Sequence, residues 1–133
     1  MIDPMQAIKD AAYEAAKGAN PNTKPSYPRA IFGALEGVEI TLPLTVYEVE
    51  LSNALYLPNS QEVRRVDVEV RLDHFGESRE QVTGVAFPAM RAMLGVVPKL
   101  TSDRETPMPN GLVRRSQRFT GVYDTGDNRI YER

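Results

Sequence analysis

The sequence predicts an α+β fold: one antiparallel sheet with two helices packed on one face, in a single domain spanning residues 1–133. Three observations carry that expectation. Residues 5–17 and 77–94 show apolar side chains at three- and four-residue steps, the period of an amphipathic helix. Residues 62–74 alternate apolar and charged side chains, the period of a strand with one wet face. The order is helix, strands, helix, strand, without the regular alternation of a parallel α/β sheet.

In the first helix Met5, Ile8, Ala12, Ala15 and Ala16 share a face, with Asp3 placed to cap and Pro4 suited to the first helical position. Gly18 reads as the stop, and Lys17 complements the helix dipole. Pro21, Pro25 and Pro28 exclude helix from residues 18–28. Arg29 to Leu35 reads as a short strand, with Gly33 marking a bulge or close approach. Val38 to Leu42 and Thr45 to Leu51 are β-branched runs broken at Pro43; in the second, Tyr47, Val49 and Leu51 alternate with Glu48 and Glu50. Residues 52–61 read as a turn or protruding loop. Leu55, Tyr56 and Leu57 inside it either fold back as a lid or wait for a partner.

In residues 62–74, Val66, Val68, Val70 and Leu72 point one way and Arg65, Asp67, Glu69, Arg71 and Asp73 the other, set to pair with charges across the sheet. The second helix has Ser78 as its cap, Gln81 as capping-box partner, an apolar stripe from Val82 to Leu94, Pro88 as a kink and Gly95 as its end. Residues 98–110 hold three prolines and read as a loop. Gly111 to Tyr123 reads as a long strand, Asp124 to Asn128 as a turn, and Arg129 to Tyr131 as a short terminal strand.

Composition excludes several chemistries. The chain has no Cys, so disulfide-stapled modules, Cys-ligated zinc sites and thiol enzymes fall away. A single His removes His-rich metal sites and any mechanism needing two imidazoles. The net charge of -2 argues against a dedicated duplex-binding protein. Charge is uneven: residues 1–62 carry four basic and eight acidic groups, residues 63–133 twelve basic and ten acidic. Such halves suit head-to-tail contact between copies. No apolar run approaches the roughly 20 residues of a membrane span, and Met1 to Pro4 does not read as a signal peptide, so no membrane role is expected.

Signature motifs for nucleotide, zinc, calcium or serine-hydrolase chemistry are absent, and no cofactor, metal or catalytic residue is expected. Asp124-Thr125-Gly126 matches the aspartic-protease triplet, but only seven residues follow Gly126 and Asp127 departs from the pattern, so a turn suffices. His74, after Asp73, is the one candidate general base. Adjacent strand residues face opposite ways, which favours a structural role. Arg114, Arg115 and Arg118 form the best functional feature, either an exposed strand face or a contact for an acidic partner. Phe119 and Tyr123 share a face with Arg115, which would give single-stranded nucleic acid a stacking surface. Leu55, Tyr56, Leu57, Arg114, Arg115 and Arg118 are the candidate interface residues.

The layout resembles one family. A short N-terminal helix is followed by a proline-rich approach to Tyr27-Pro28-Arg29-Ala30-Ile31-Phe32-Gly33. The strand Arg65 to Asp73 then runs into a helix through His74-Phe75-Gly76-Glu77-Ser78-Arg79, and a late strand Arg114 to Tyr123 follows. Across most of the chain this order is similar to the small tail-terminator and neck proteins of tailed bacteriophages. The resemblance is one of layout, with no residue motif to carry over. It implies a virion structural protein without an active site: a ring, usually of six copies, that caps the tail tube and joins it to the head connector. The implied partners are other copies of the chain, the tail-tube protein and the connector or stopper protein, with DNA only as cargo through the ring. The implied location is the virion tail or neck, with assembly in the host cytoplasm. A neck stopper or tail-completion protein, a cellular α+β adaptor domain, and an enzyme centred on His74 are the other readings.

Overall fold

The computed structural model describes residues 4–25, 41–56, 63–109, 111–124, 126 and 128–132. Two helices and a six-stranded, mostly antiparallel sheet make an α+β fold. Helix α1 runs Pro4–Ala19 and α2 Arg79–Leu94. The strands are β1 (Thr23–Lys24), β2 (Leu44–Tyr56), β3 (Val63–Gly76), β4 (Lys99–Pro107), β5 (Val113–Asp124) and β6 (Arg129–Tyr131). The sheet order is β1-β2-β3-β5-β4, with β6 also paired to β5. Among the described residues only β1 and β2 run parallel. Strands β4 and β6 follow one another along the same side of β5, opposite β3.

The alternation in β3 sets the layers. Val66, Val68, Val70 and Leu72 are at most 2% exposed. They form one core cluster with Phe119 and Tyr123 of β5, Ile8, Ala12 and Ala16 of α1, and Ala89 and Met93 of α2. Each fully buried aliphatic side chain of this set stabilises the fold by about 1.5–3 kcal/mol. The small alanines of α1 and α2 let the helix backbones approach their neighbours closely. At the other parity, Leu44, Val46 and Phe75 make a second, smaller cluster that Leu42, Met108 and Leu112 pack against.

Helix α1 passes through Gly18, and the Asn20 N–H still donates to the Ala16 carbonyl at 3.0 Å. Pro21, which has no N–H to continue the ladder, supplies the true stop. In α2 the Gln81 N–H donates to Ser78 Oγ at 3.2 Å, as the cap reading requires. The Gln81 side chain reaches back one residue further than expected, accepting from the Glu77 N–H at 2.7 Å. The helix continues through Pro88. Because proline has no N–H, the carbonyl of Gly84 lacks its usual donor. Gly84 is exposed, so water can satisfy it.

Two expectations are corrected. Residues 98–110 are not a loop: Lys99–Pro107 is an edge strand, paired antiparallel with β5 from Lys99↔Thr120 to Pro107↔Val113. Both of its faces are largely solvated, so it carries no apolar alternation, and Pro98 and Pro107 bracket it instead of interrupting it. Nor does the turn begin at Ser52. Strand β2 continues to Tyr56 across register shifts against β3, with Asn53 at φ 53° and its Nδ2 donating to Asp67 Oδ2 at 2.7 Å. An asparagine tolerates that left-handed backbone, so the strand bulges and goes on. The strand expected at Arg29 to Leu35, most of the run Val38 to Leu42, and Leu57 lie outside the described residues.

Candidate functional site

Strand parity places the chemistry-bearing side chains. Across β2, β3 and β5 one row reads Glu48↔Arg71↔Arg118, and the next Val46↔Asp73↔Ser116. Ser102 of β4 pairs with Arg118, and Arg104 with Ser116. These rows line a groove of about 370 Å³ bounded by Glu48, Arg71, Asp73, Ser102, Arg104, Arg114, Ser116 and Arg118.

The groove holds a like-charge pair, since Arg71 and Arg118 lie directly opposite on the ladder. Such a pair is destabilising unless a counter-charge bridges it. Glu69 does so, at 2.6 Å from Arg118 Nε and 3.4 Å from Arg71 Nη2. Arg71 also lies 3.5 Å from Glu50 and 3.9 Å from Glu48. Its Nε is buried with no hydrogen-bond partner among the described residues. Asp73 is buried and accepts from Arg114 Nη2 at 2.9 Å and Ser116 Oγ at 2.5 Å. Arg114 also stacks over Phe75, 5.6 Å from the ring centre. Arg104 has no ion-pair partner among the described residues.

Arg115 stands apart from Arg114 and Arg118. It pairs with His74 on the ladder, at the parity of the main core, and makes a two-pronged contact with Asp103 at 2.8 and 2.7 Å. That contact holds the Asp103 carboxyl below its ordinary value and raises the Arg115 guanidinium. The basic cluster read from sequence is therefore divided between two faces. The stacking surface is also corrected: Phe119 is 0% exposed and Tyr123 6%, both packed in the core, so neither ring is open to a base.

His74 is 0% exposed. It lies in a chain of buried hydrogen bonds whose direction is fixed from its ends. Asn20 Nδ2 can only donate, and its amide is oriented by Asn22 N–H donating to Asn20 Oδ1 at 3.1 Å. It donates to Thr45 Oγ1 at 3.0 Å. Gln117 Nε2 donates to the Ala86 carbonyl at 3.2 Å, which leaves Gln117 Oε1 to accept. His74 Nε2 therefore carries the proton and donates to Gln117 at 2.8 Å, while Nδ1 accepts from the Thr45 hydroxyl at 2.9 Å. Burial pushes the imidazole down to about 4, against the raising effects of the Gln117 bond and Asp73. Asp73 itself faces the groove with Arg114 and Ser116, so it does not orient His74 as a general base.

Asp124, of the protease-like triplet, ends β5. Its Oδ1 accepts from the Gly126 N–H at 2.8 Å, and Arg65 approaches Oδ2 at 3.2 Å. It serves a turn. Leu55 and Tyr56 lie at the end of β2, paired with Arg65 and Val63. Among the described residues no cluster of His, Asp and Glu is suited to a metal ion, and no helix is long and apolar enough to cross a membrane.

Sequence reasoning missed Arg71, Asp73, Arg104 and Ser116 as members of the groove. The i, i+2 spacing of residues 114, 116 and 118, set beside that of 69, 71 and 73, was the available signal. Arg104 was hidden by the loop reading of its strand. Nothing in the sequence joined Asn20, Thr45, His74 and Gln117, which lie far apart along the chain. No protein-family model matches the chain, and no curated protein sequence matches it.

Proposed function

We propose that the chain is a structural part of a tailed-phage particle: a tail terminator that forms a ring, usually of six copies, capping the tail tube and meeting the head connector. In this reading it is a single domain with both helices on one face of the sheet, and it has no catalytic role.

One observation carries the reading: the use made of the reactive side chains. His74 is sealed inside a closed hydrogen-bond chain, and Asp73 and Asp124 are tied to arginines and local donors. What faces outward is an ion-paired sheet face, together with Phe87, 49% exposed, and Leu94, 37% exposed, on α2. Such surfaces fit against other protein surfaces. A closed ring needs a head-to-tail contact between unlike patches of neighbouring copies, which the acidic and basic halves of the chain favour.

The test is to mix the purified chain with tail tubes and image them by negative-stain electron microscopy. The reading expects density capping one end of each tube. Tubes whose ends stay bare at saturating protein would overturn it.

A further inference from the structure

We propose that the groove around Ser116 binds a phosphate dianion, free or as a small monoester. Two groove arginines with unused donors, Arg71 and Arg104, carry it, and it is independent of the ring reading.

Ser116 is surrounded by guanidiniums. Arg104 is its ladder partner, Arg114 and Arg118 flank it at i−2 and i+2 on β5, and Arg71 stands diagonally across on β3. The lining holds four arginines and two acids, Glu48 and Asp73, and Glu50 and Glu69 stand beside it against Arg71 and Arg118. Two of the arginines are under-used. Arg104 has no ion-pair partner among the described residues. Arg71 approaches three carboxylates, none nearer than 3.4 Å, and leaves its Nε without a partner. An arginine in strong contact with an anion sits at about 2.7–2.9 Å. Glu69 bridges Arg71 and Arg118 but lies 3.4 Å from Arg71, so an anion joining Arg71 to Arg104 would take up the donors that Glu69 leaves unused.

The Ser102 hydroxyl adds a neutral donor for a phosphate oxygen, while the Ser116 hydroxyl is already given to Asp73. Glu48, an exposed side chain 3.9 Å from Arg71, is free to swing aside. The groove volume of about 370 Å³ exceeds that of a bare phosphate ion and falls at the small end of ligand sites, which suits a monoester with a compact body.

The experiment is a ¹⁵N NMR titration of the full chain at constant ionic strength, with inorganic phosphate and phenyl phosphate as separate probes. The arginine Nε–H resonances and the Ser116 amide are followed. The proposal expects saturable shifts at Arg71, Arg104, Arg118 and Ser116 with at least one probe; the tighter probe shows whether the ligand is free phosphate or an ester. Arg104→Ala, an exposed position, should weaken the apparent affinity about tenfold. Arg129→Ala, on β6 outside the groove, should leave it unchanged. Shifts that never saturate with either probe, or equal affinity in Arg104→Ala and the native chain, would overturn the proposal.

Discussion

Replacing His74 with Gln tests the buried polar chain. Glutamine keeps a donor for Gln117 and an acceptor for Thr45, so the bonds at both ends survive while the titrating group is lost. In the native protein the imidazole is pushed from 6.5 down to about 4 by burial. The unfolded chain thus binds more protons than the folded one across that window, and stability rises with pH through it. The contribution is complete above about pH 6.5 and is lost as pH falls toward 4. Between about pH 7.5 and about pH 4.5 the loss is about 2–3 kcal/mol from this one group. Physically, a proton on Nδ1 would face Thr45 Oγ1, whose hydroxyl must then turn away inside a sealed core. Urea unfolding followed by circular dichroism at the two pH values measures the difference. His74→Gln should lose about 2–3 kcal/mol less than the native chain over the same interval, the remaining carboxylate effects cancelling in the comparison. Equal losses in the two proteins, or an imidazole that titrates near 6.5 by NMR, would refute the reasoning.

Other positions give sharper local tests. A Cβ on Gly121 would lie 2.6 Å from Ile130 Cγ2 and 3.1 Å from both Pro98 Cδ and the Tyr131 carbonyl. Gly121→Ala should therefore push β6 away, costing about 1–3 kcal/mol and raising amide exchange at Ile130 and Tyr131. Leu72→Ala removes a side chain with 0% exposure and should cost about 2–5 kcal/mol in urea unfolding, against about 0.5 kcal/mol or less for the exposed Lys9→Ala. Arg115→Ala should return the Asp103 carboxyl toward 3.8, seen in a carboxyl NMR titration. Because the folded Asp103 is held low, its contribution is present above 3.8 and fades as pH falls below it; the variant loses that acid dependence, with a stability cost of about 1 kcal/mol.

What was legible in the sequence followed from how one-sided each element is. Strand β3 announced itself because Val66 to Leu72 meet the core while Arg65 to Asp73 meet water and counter-charges. Helix α2 did so through its stripe and the Ser78 cap. Strand β4 was invisible because an edge strand solvated on both faces has no period to read. Its prolines, which looked like breakers, sit at its ends. The bulge at Asn53 hid the last turns of β2 in the same way, since a single left-handed residue is compatible with either a turn or a continuing strand. At the site, local spacing showed that Arg114, Arg115 and Arg118 are close but not that strand parity sends Arg115 to Asp103 and the other two to the groove. The fate of His74 was half legible: its separation from Asp73 followed from strand geometry, but its partners came from β2 and β5, the first held in turn by Asn20 after α1. Those contacts exist only once the sheet has assembled.

We propose that this chain works by assembling with copies of itself on a tail tube. Multi-angle light scattering, on the chain alone and after addition of tubes, tests it most directly. A ring gives a particle of about 90 kDa, six copies of 14.8 kDa, in free solution, or loss of free chain onto the tubes when they are added. A strict 14.8 kDa monomer that stays free in the presence of tubes would contradict it.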